Sequence, residues 1–126
     1  MTYYFDASVQ KPVALALSHV RDDILWAGGP GAPQKNVLDI DWLPIAGDEQ
    51  WKVIVRDKRI RSRPAEIQAV QDFSVGMFCL TTAGQSTKWE VLQLLVARWG
   101  AMEVAALRTT PPYIFAVTRN GVRRIL

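Results

Sequence analysis

Trp51-Lys52-Val53-Ile54-Val55 runs directly into Arg56-Asp57-Lys58-Arg59. The first five residues are rich in β-branched and aromatic side chains and predict a strand that ends near Asp57. Working outward, Tyr3-Tyr4-Phe5 has the same character in shorter form and stops at Asp6, so it predicts a buried strand ending in a carboxylate. Val75 to Leu80 predicts another strand, and Ile24-Leu25-Trp26 a weak one.

Helical signals separate these strands. Pro12 to Leu17 carries proline in its first turn, with Ser8 one turn ahead. Asp39 can cap a helix through Trp42, Leu43 and Ala46, although Pro44 predicts that this helix is short or starts later. Pro64 to Val70 predicts a third helix. Lys88 to Arg98 predicts a fourth, with Trp89, Leu92, Leu95, Val96 and Trp99 near one face, and with Gly100 kinking or dividing it before Ala101 to Leu107. Gly28 to Pro33 and Gly84 to Thr87 are loops. Pro111-Pro112 stops the last helix. Tyr113 to Thr118 and Val122 to Leu126 flank Arg119-Asn120-Gly121, a hairpin signal. Strand and helix in alternation predict a three-layer α/β/α sandwich with a mostly parallel central sheet and a C-terminal β-hairpin. Sites in such sheets lie beyond the carboxyl ends of the strands.

The 126 residues, 49% hydrophobic and 21% charged, are expected to form a single domain over 1–126 rather than a disordered chain. No apolar run approaches the roughly 18–20 residues that span a bilayer. The opening Met1-Thr2-Tyr3-Tyr4-Phe5-Asp6 lacks a basic leader, so a cytoplasmic protein without a membrane partner is expected. The single cysteine, Cys79, sits in an apolar run and is read as a packing residue. That leaves no disulfide and no cysteine zinc site. The single histidine, His19, is read as a surface or capping residue at a helix end. Net charge is +3, and its distribution says more: Arg56, Lys58, Arg59, Arg61 and Arg63 form one basic group, and Arg119, Arg123 and Arg124 another. Such groups attract polyanions, or serve as solvated surface.

Asp6 and Asp57 each follow an apolar strand pattern, so a parallel sheet would project both from one edge. The segment from Asp39 to Asp41 opens a helix and could bring a third carboxylate over that edge. Clustered carboxylates repel one another unless a cation neutralises them or some protonate, and oxygen-rich sites suit Mg²⁺ or Mn²⁺. Each acid also has a purely structural reading. Asp6 can end a strand, Asp39 can cap a helix, and Asp57 can pair with adjacent arginines.

Tyr4-Phe5-Asp6, then Asp39-Ile40-Asp41-Trp42-Leu43, then Val53 to Arg61, taken in that order and spacing, resemble a PIN-like domain. More narrowly, they resemble a compact group of VapC-like toxin ribonucleases of type II toxin–antitoxin systems. Lys88-Trp89-Glu90, Arg98-Trp99 and Pro111-Pro112-Tyr113-Ile114 extend the likeness over nearly the whole chain. The resemblance implies an α/β/α endoribonuclease in which acids gather Mg²⁺ or Mn²⁺ to hydrolyse RNA phosphodiester bonds. It matches Asp6 to the first family acid, Asp57 to the later one, and Asp39 to the middle one, since Leu43 and Ala46 then fall on apolar positions. Asp41 is a second candidate for the middle acid. It stands about 200° from Asp39 on a helix, so both face one ion only if the helix begins between them.

Two departures are visible. Val55 stands where a threonine or serine often precedes the later acid, and Lys58 and Arg59 stand where a further acid often follows. Glu66 or the Ser8 hydroxyl could compensate. Lys58, Arg59, Arg61 and Ser8 are candidates for holding the substrate, the basic residues through its phosphates, while Arg63, directly before Pro64, is expected to be extended and exposed. Trp42, Trp89 and Trp99 are expected in the core, and Trp26, beside the glycine loop, is the tryptophan with a candidate RNA or partner contact. The resemblance also implies a cognate antitoxin and self-association as a homodimer, for which the helix from Trp89 to Trp99 offers a surface. The competing reading is a non-catalytic PIN-like module, binding nucleic acid or protein, with a degenerate acidic site.

Overall fold

A parallel sheet needs every strand exit at one edge and every return path as a crossover, and the chain does this four times. The computed structural model describes residues 1–34, 39–56, 63–81 and 86–126, with Asp39 and Ile40 by their backbone alone. The elements run β1 (Tyr3–Phe5), α1 (Lys11–Ser18), β2 (Ile24–Trp26), α2 (Asp39–Asp48), β3 (Lys52–Val55), α3 (Pro64–Asp72), β4 (Gly76–Leu80), α4 (Lys88–Arg108), β5 (Tyr113–Thr118) and β6 (Gly121–Arg124). The strands form one sheet in the order β2-β1-β3-β4-β5-β6. All neighbours are parallel except β5 and β6, which make the expected C-terminal antiparallel hairpin.

Side-chain alternation along the strands divides the interior into two cores. Tyr3, Phe5, Ile54, Phe78, Leu80, Tyr113 and Val117 point to the face covered by α1 and α4. Tyr4, Val53, Val55, Met77, Cys79 and Ile114 point to the face covered by α2 and α3. The result is a three-layer α/β/α sandwich. On the second face the Tyr4 ring lies between Trp42 and Trp51, with centroids 5.2 and 5.1 Å away. Cys79 is buried there as a packing residue.

Three expectations about the elements need correcting. Helix α2 (Asp39–Asp48) is already helical at Asp39 and continues through Pro44. A proline inside a helix forfeits one backbone bond, and here the buried Trp42, Leu43 and Ala46 hold the helix against the sheet. Gly100 does not divide α4, which is continuous over 21 residues. Its buried face carries Val91, Leu94, Leu95, Trp99, Met102 and Ala106, while Trp89 is 66% and Val96 63% exposed. Trp89 is therefore not a core residue. Helix α4 opens with a capping box, Thr87 Oγ1 accepting from Glu90 N and Glu90 Oε1 accepting from Thr87 N.

The turn of the hairpin is Arg119-Asn120, and Gly121 is already the first residue of β6, at φ 149°, a conformation only glycine adopts easily. Glycine is also required at Gly47, where a Cβ would run into the backbone carbonyl of Phe73 at the end of α3. His19 is the exposed C-cap of α1. No described helix is long and apolar enough to cross a membrane.

Candidate acidic site at the carboxyl edge of the sheet

The parallel strands all exit at one edge, and α1, α2, α3 and α4 each begin there after β1, β2, β3 and β4. Asp6 is the first residue past β1. Its N–H still donates to Ile54 O at 3.1 Å, so the β1–β3 ladder carries one step beyond the strand and fixes where the side chain leaves the backbone. The chain then turns sharply, with Val9 N donating to Asp6 O at 3.2 Å. Within this turn Asp6 Oδ1 accepts from Ser8 N at 3.0 Å and, through a short hydrogen bond, from the Ser8 hydroxyl.

Ser8 Oγ in turn accepts from Arg56 N at 2.8 Å. A relay of donors thus runs from the backbone at the exit of β3, through the Ser8 hydroxyl, to the Asp6 carboxylate at the exit of β1. The relay clamps the two strand exits together and aims the carboxylate. A third element joins at the carbonyl of Ser86, which leads into α4: Arg56 Nη2 and Gln10 Nε2 both donate to it, each at 3.4 Å.

Beside this junction, between the first turns of α4 and the β5–β6 turn, lies a cleft of about 470 Å³ whose lining includes Thr81, Ser86, Glu90, Gln93, Arg98 and Arg119. Arg98 is fixed by donating from Nε to Thr118 O at 3.1 Å and from Nη2 to Arg119 O. The backbone N–H of Thr87 holds the Glu90 carboxyl below the usual carboxylate range, with smaller help from the Thr87 hydroxyl and from the charge of Arg119. Arg119 belonged to a basic group visible in the sequence. Gln10, Ser86 and Arg98 carried no such signal, because nothing in linear spacing links residues so far apart in the chain.

Asp41 lies in the first turn of α2 and is exposed. The side chain of Asp39 lies outside the described residues, as do Asp57, Lys58, Arg59 and Arg61. The backbone of α2 is already helical at both Asp39 and Asp41. Glu66 accepts from Arg63 Nη1 at 3.1 Å at the start of α3, and Arg63 is exposed as expected. Trp26 is half-buried against the first core, and a Cβ at Gly29 would sit 2.7 Å from its ring.

Among the described residues no three His, Cys, Asp or Glu side chains are grouped closely enough to hold a metal ion. The described donors at the β1–β3 exits, a carboxylate and a hydroxyl, are oxygens of the kind a hard divalent cation takes. They fit such an ion as part of a larger set.

An α/β/α sandwich with a mostly parallel sheet and an acid at the exit of β1, one strand in from the sheet's edge, defines a class of carboxyl-edge sites. Within that class the family is shown by sequence. A model of the PIN-like domain matches residues 1–82, about two thirds of the chain, and the chain belongs to that family. The match spans β1 to β4 together with Asp6, Asp39, Asp41 and Asp57. No curated protein and no solved structure matches the chain.

Proposed function

We propose that this chain is a Mg²⁺- or Mn²⁺-dependent endoribonuclease, the toxin of a toxin–antitoxin pair, with RNA as substrate and a small antitoxin protein as partner. Membership of the PIN-like family supports the nuclease reading, since PIN-like domains are generally nucleases. The observation that carries it is the relay from Arg56 N through Ser8 to Asp6. It presents an oriented carboxylate at the junction of β1 and β3, and Asp57 follows Arg56 directly in the chain.

In this reading Asp6, Asp57 and Asp39 hold the ion, with Asp41 as the alternative middle acid. The bound ion supplies charge neutralisation at the phosphate and a more acidic water. Asp6 accepts from Ser8 and so faces the site in one orientation. Lys58, Arg59 and Arg61 hold phosphates of the RNA backbone, and Arg59 and Arg61 also offset charge that builds on the reacting phosphate.

The test is cleavage of single-stranded RNA in Mn²⁺ by the wild type and by Asp6→Asn. Asp6→Asn is expected to lower the rate by roughly a hundredfold or more while leaving the melting temperature without metal nearly unchanged. Equal cleavage by both proteins refutes the assignment. A second reading, a PIN-like module that binds nucleic acid or protein without cleaving, is favoured by Val55 and by the basic pair Lys58 and Arg59. Equal RNA binding by both proteins, with no cleavage by either, would select that reading.

A further inference from the structure

The cleft beside the Asp6 relay carries groups that an acidic metal site does not use. Its volume of about 470 Å³ falls within the roughly 300–1,000 Å³ of ordinary small-molecule sites. Helix α4 builds one wall. Glu90, Gln93, Leu94, Ala97 and Arg98 stand at i, i+3, i+4, i+7 and i+8, so they share one side of the helix and line the cleft together. Glu90 and Arg98 are about 12 Å apart along the axis. The wall thus runs from an anion, past apolar Leu94 and Ala97, to a cation. Arg119 adds a second guanidinium from the β5–β6 turn.

Both charged ends have bonding capacity left. The capping box uses Glu90 Oε1 and leaves Oε2 for a ligand. Arg119 acts on Glu90 through its charge, without a hydrogen bond, and helps to keep the carboxyl ionised and therefore an acceptor only. Arg98 uses one N–H of Nε and one of Nη2 on the carbonyls of Thr118 and Arg119, which holds the guanidinium in place. Two of its five N–H donors are thus used, and three remain.

A matching ligand offers hydrogen-bond donors at one end, negative charge at the other and a flat body between. A nucleotide of single-stranded RNA has this form, with its base edge unpaired. A carboxylate also discriminates among the bases. Guanine presents N1–H and its 2-amino group side by side, and one carboxylate accepts from both. Uracil presents a single N3–H between two carbonyl oxygens, which an anion repels.

We propose that the cleft is a guanosine-selective subsite of the RNA path, in which Glu90 accepts from the guanine edge, Gln93 one turn on donates to guanine O6, and Arg98 and Arg119 hold the nucleotide's phosphate. It adjoins the acidic site through Ser86, which lines the cleft and whose carbonyl accepts from Arg56, the residue whose N–H anchors Ser8 and hence Asp6. The subsite rests on the proposed function for RNA as its ligand, but not on cleavage.

Fluorescence anisotropy with the full chain in EDTA tests binding without turnover. The probes are a uridine octamer and the same octamer with one central guanosine or inosine. The wild type is expected to bind the guanosine probe about tenfold or more tighter than the uridine probe, with inosine, which lacks the 2-amino group, between them. Glu90→Gln keeps a side chain that can complete the capping box. Its far-ultraviolet spectrum should be unchanged while most of the guanosine preference is lost. Arg119→Ala should weaken both probes alike and reduce the slope of log affinity against log salt by about one. Equal wild-type affinity for the guanosine and uridine probes overturns the subsite, as does a preference that survives Glu90→Gln, or no binding of RNA at all. Failure of the nuclease reading looks different: Asp6→Asn cleaves like the wild type, or neither cleaves, while the guanosine preference stands.

Discussion

Ser8 is where one side chain does most to shape the candidate site. Its hydroxyl donates to Asp6 and accepts from Arg56 N, so it orients the carboxylate. Groups that orient a metal-binding carboxylate typically change ion affinity or activity by about 10–100-fold when removed. Ser8→Ala is therefore expected to raise the Mn²⁺ concentration needed for half-maximal cleavage by about tenfold, and Ser8→Thr to restore it. A titration of rate against Mn²⁺ checks this, and an unchanged midpoint would make Ser8 only a turn residue.

Arg21 and Asp23 form a pair just ahead of β2. Two hydrogen bonds of 2.9 and 2.7 Å join them, and Arg21 also lies 5.0 Å over the Trp99 ring. The hydrogen bond from Arg21 is the largest influence holding the Asp23 carboxyl below its usual range. A carboxyl lowered in the fold contributes stability above its unfolded value, near pH 4, and loses it as pH falls through the folded value. Asp23→Asn should therefore lower the melting temperature slightly at pH 7, with a gap that closes below about pH 4. The pair is partly exposed, so solvent screening keeps the gap small.

Among the elements, the contact between α2 and α3 leaves little room to adjust. The backbone of α3's last turn passes directly over Gly47, and backbone cannot rotate aside as a flexible side chain can. Gly47→Ala gains helix propensity worth up to about 1 kcal/mol. It must also separate two elements already packed through Trp42, Ala46 and Val70, a strain on the order of 1–3 kcal/mol. Net destabilisation is expected, measurable as a lower urea midpoint, and a stabilised Gly47→Ala would show that α2 slides freely. Helix α4 illustrates the opposite condition. Both of its faces are apolar, so counting apolar positions by period found the helix but could not say which face met the sheet. Sequence periodicity therefore groups Trp89 and Val96 with the inward residues. The sheet decides the matter: Val91, Leu95 and Trp99 are buried in one cluster with Phe5, Ile54 and Tyr113.

For the whole molecule, an ion that binds only the folded chain must stabilise it. At a hundred times its dissociation constant the gain is about 2.7 kcal/mol, a few degrees in melting temperature. Addition of Mn²⁺ is expected to raise the melting temperature of the wild type by that amount and to leave Asp6→Asn nearly unmoved. Equal shifts in both would place ion binding elsewhere.

Strand and helix order, the parallel sheet, the hairpin and the PIN-like likeness were legible along the chain, because hydrophobic periodicity is local and each crossover follows from the strand before it. So was the expectation of an acid at the exit of β1, since Asp6 simply ends an apolar run. Three things were decided only by tertiary packing: the clamp between Ser8 and Arg56, the convergence of Gln10 and Arg56 on Ser86, and the outward turn of Trp89. Each depends on the distance between residues far apart in sequence, which is set by strand register and by which helix face the sheet can accept.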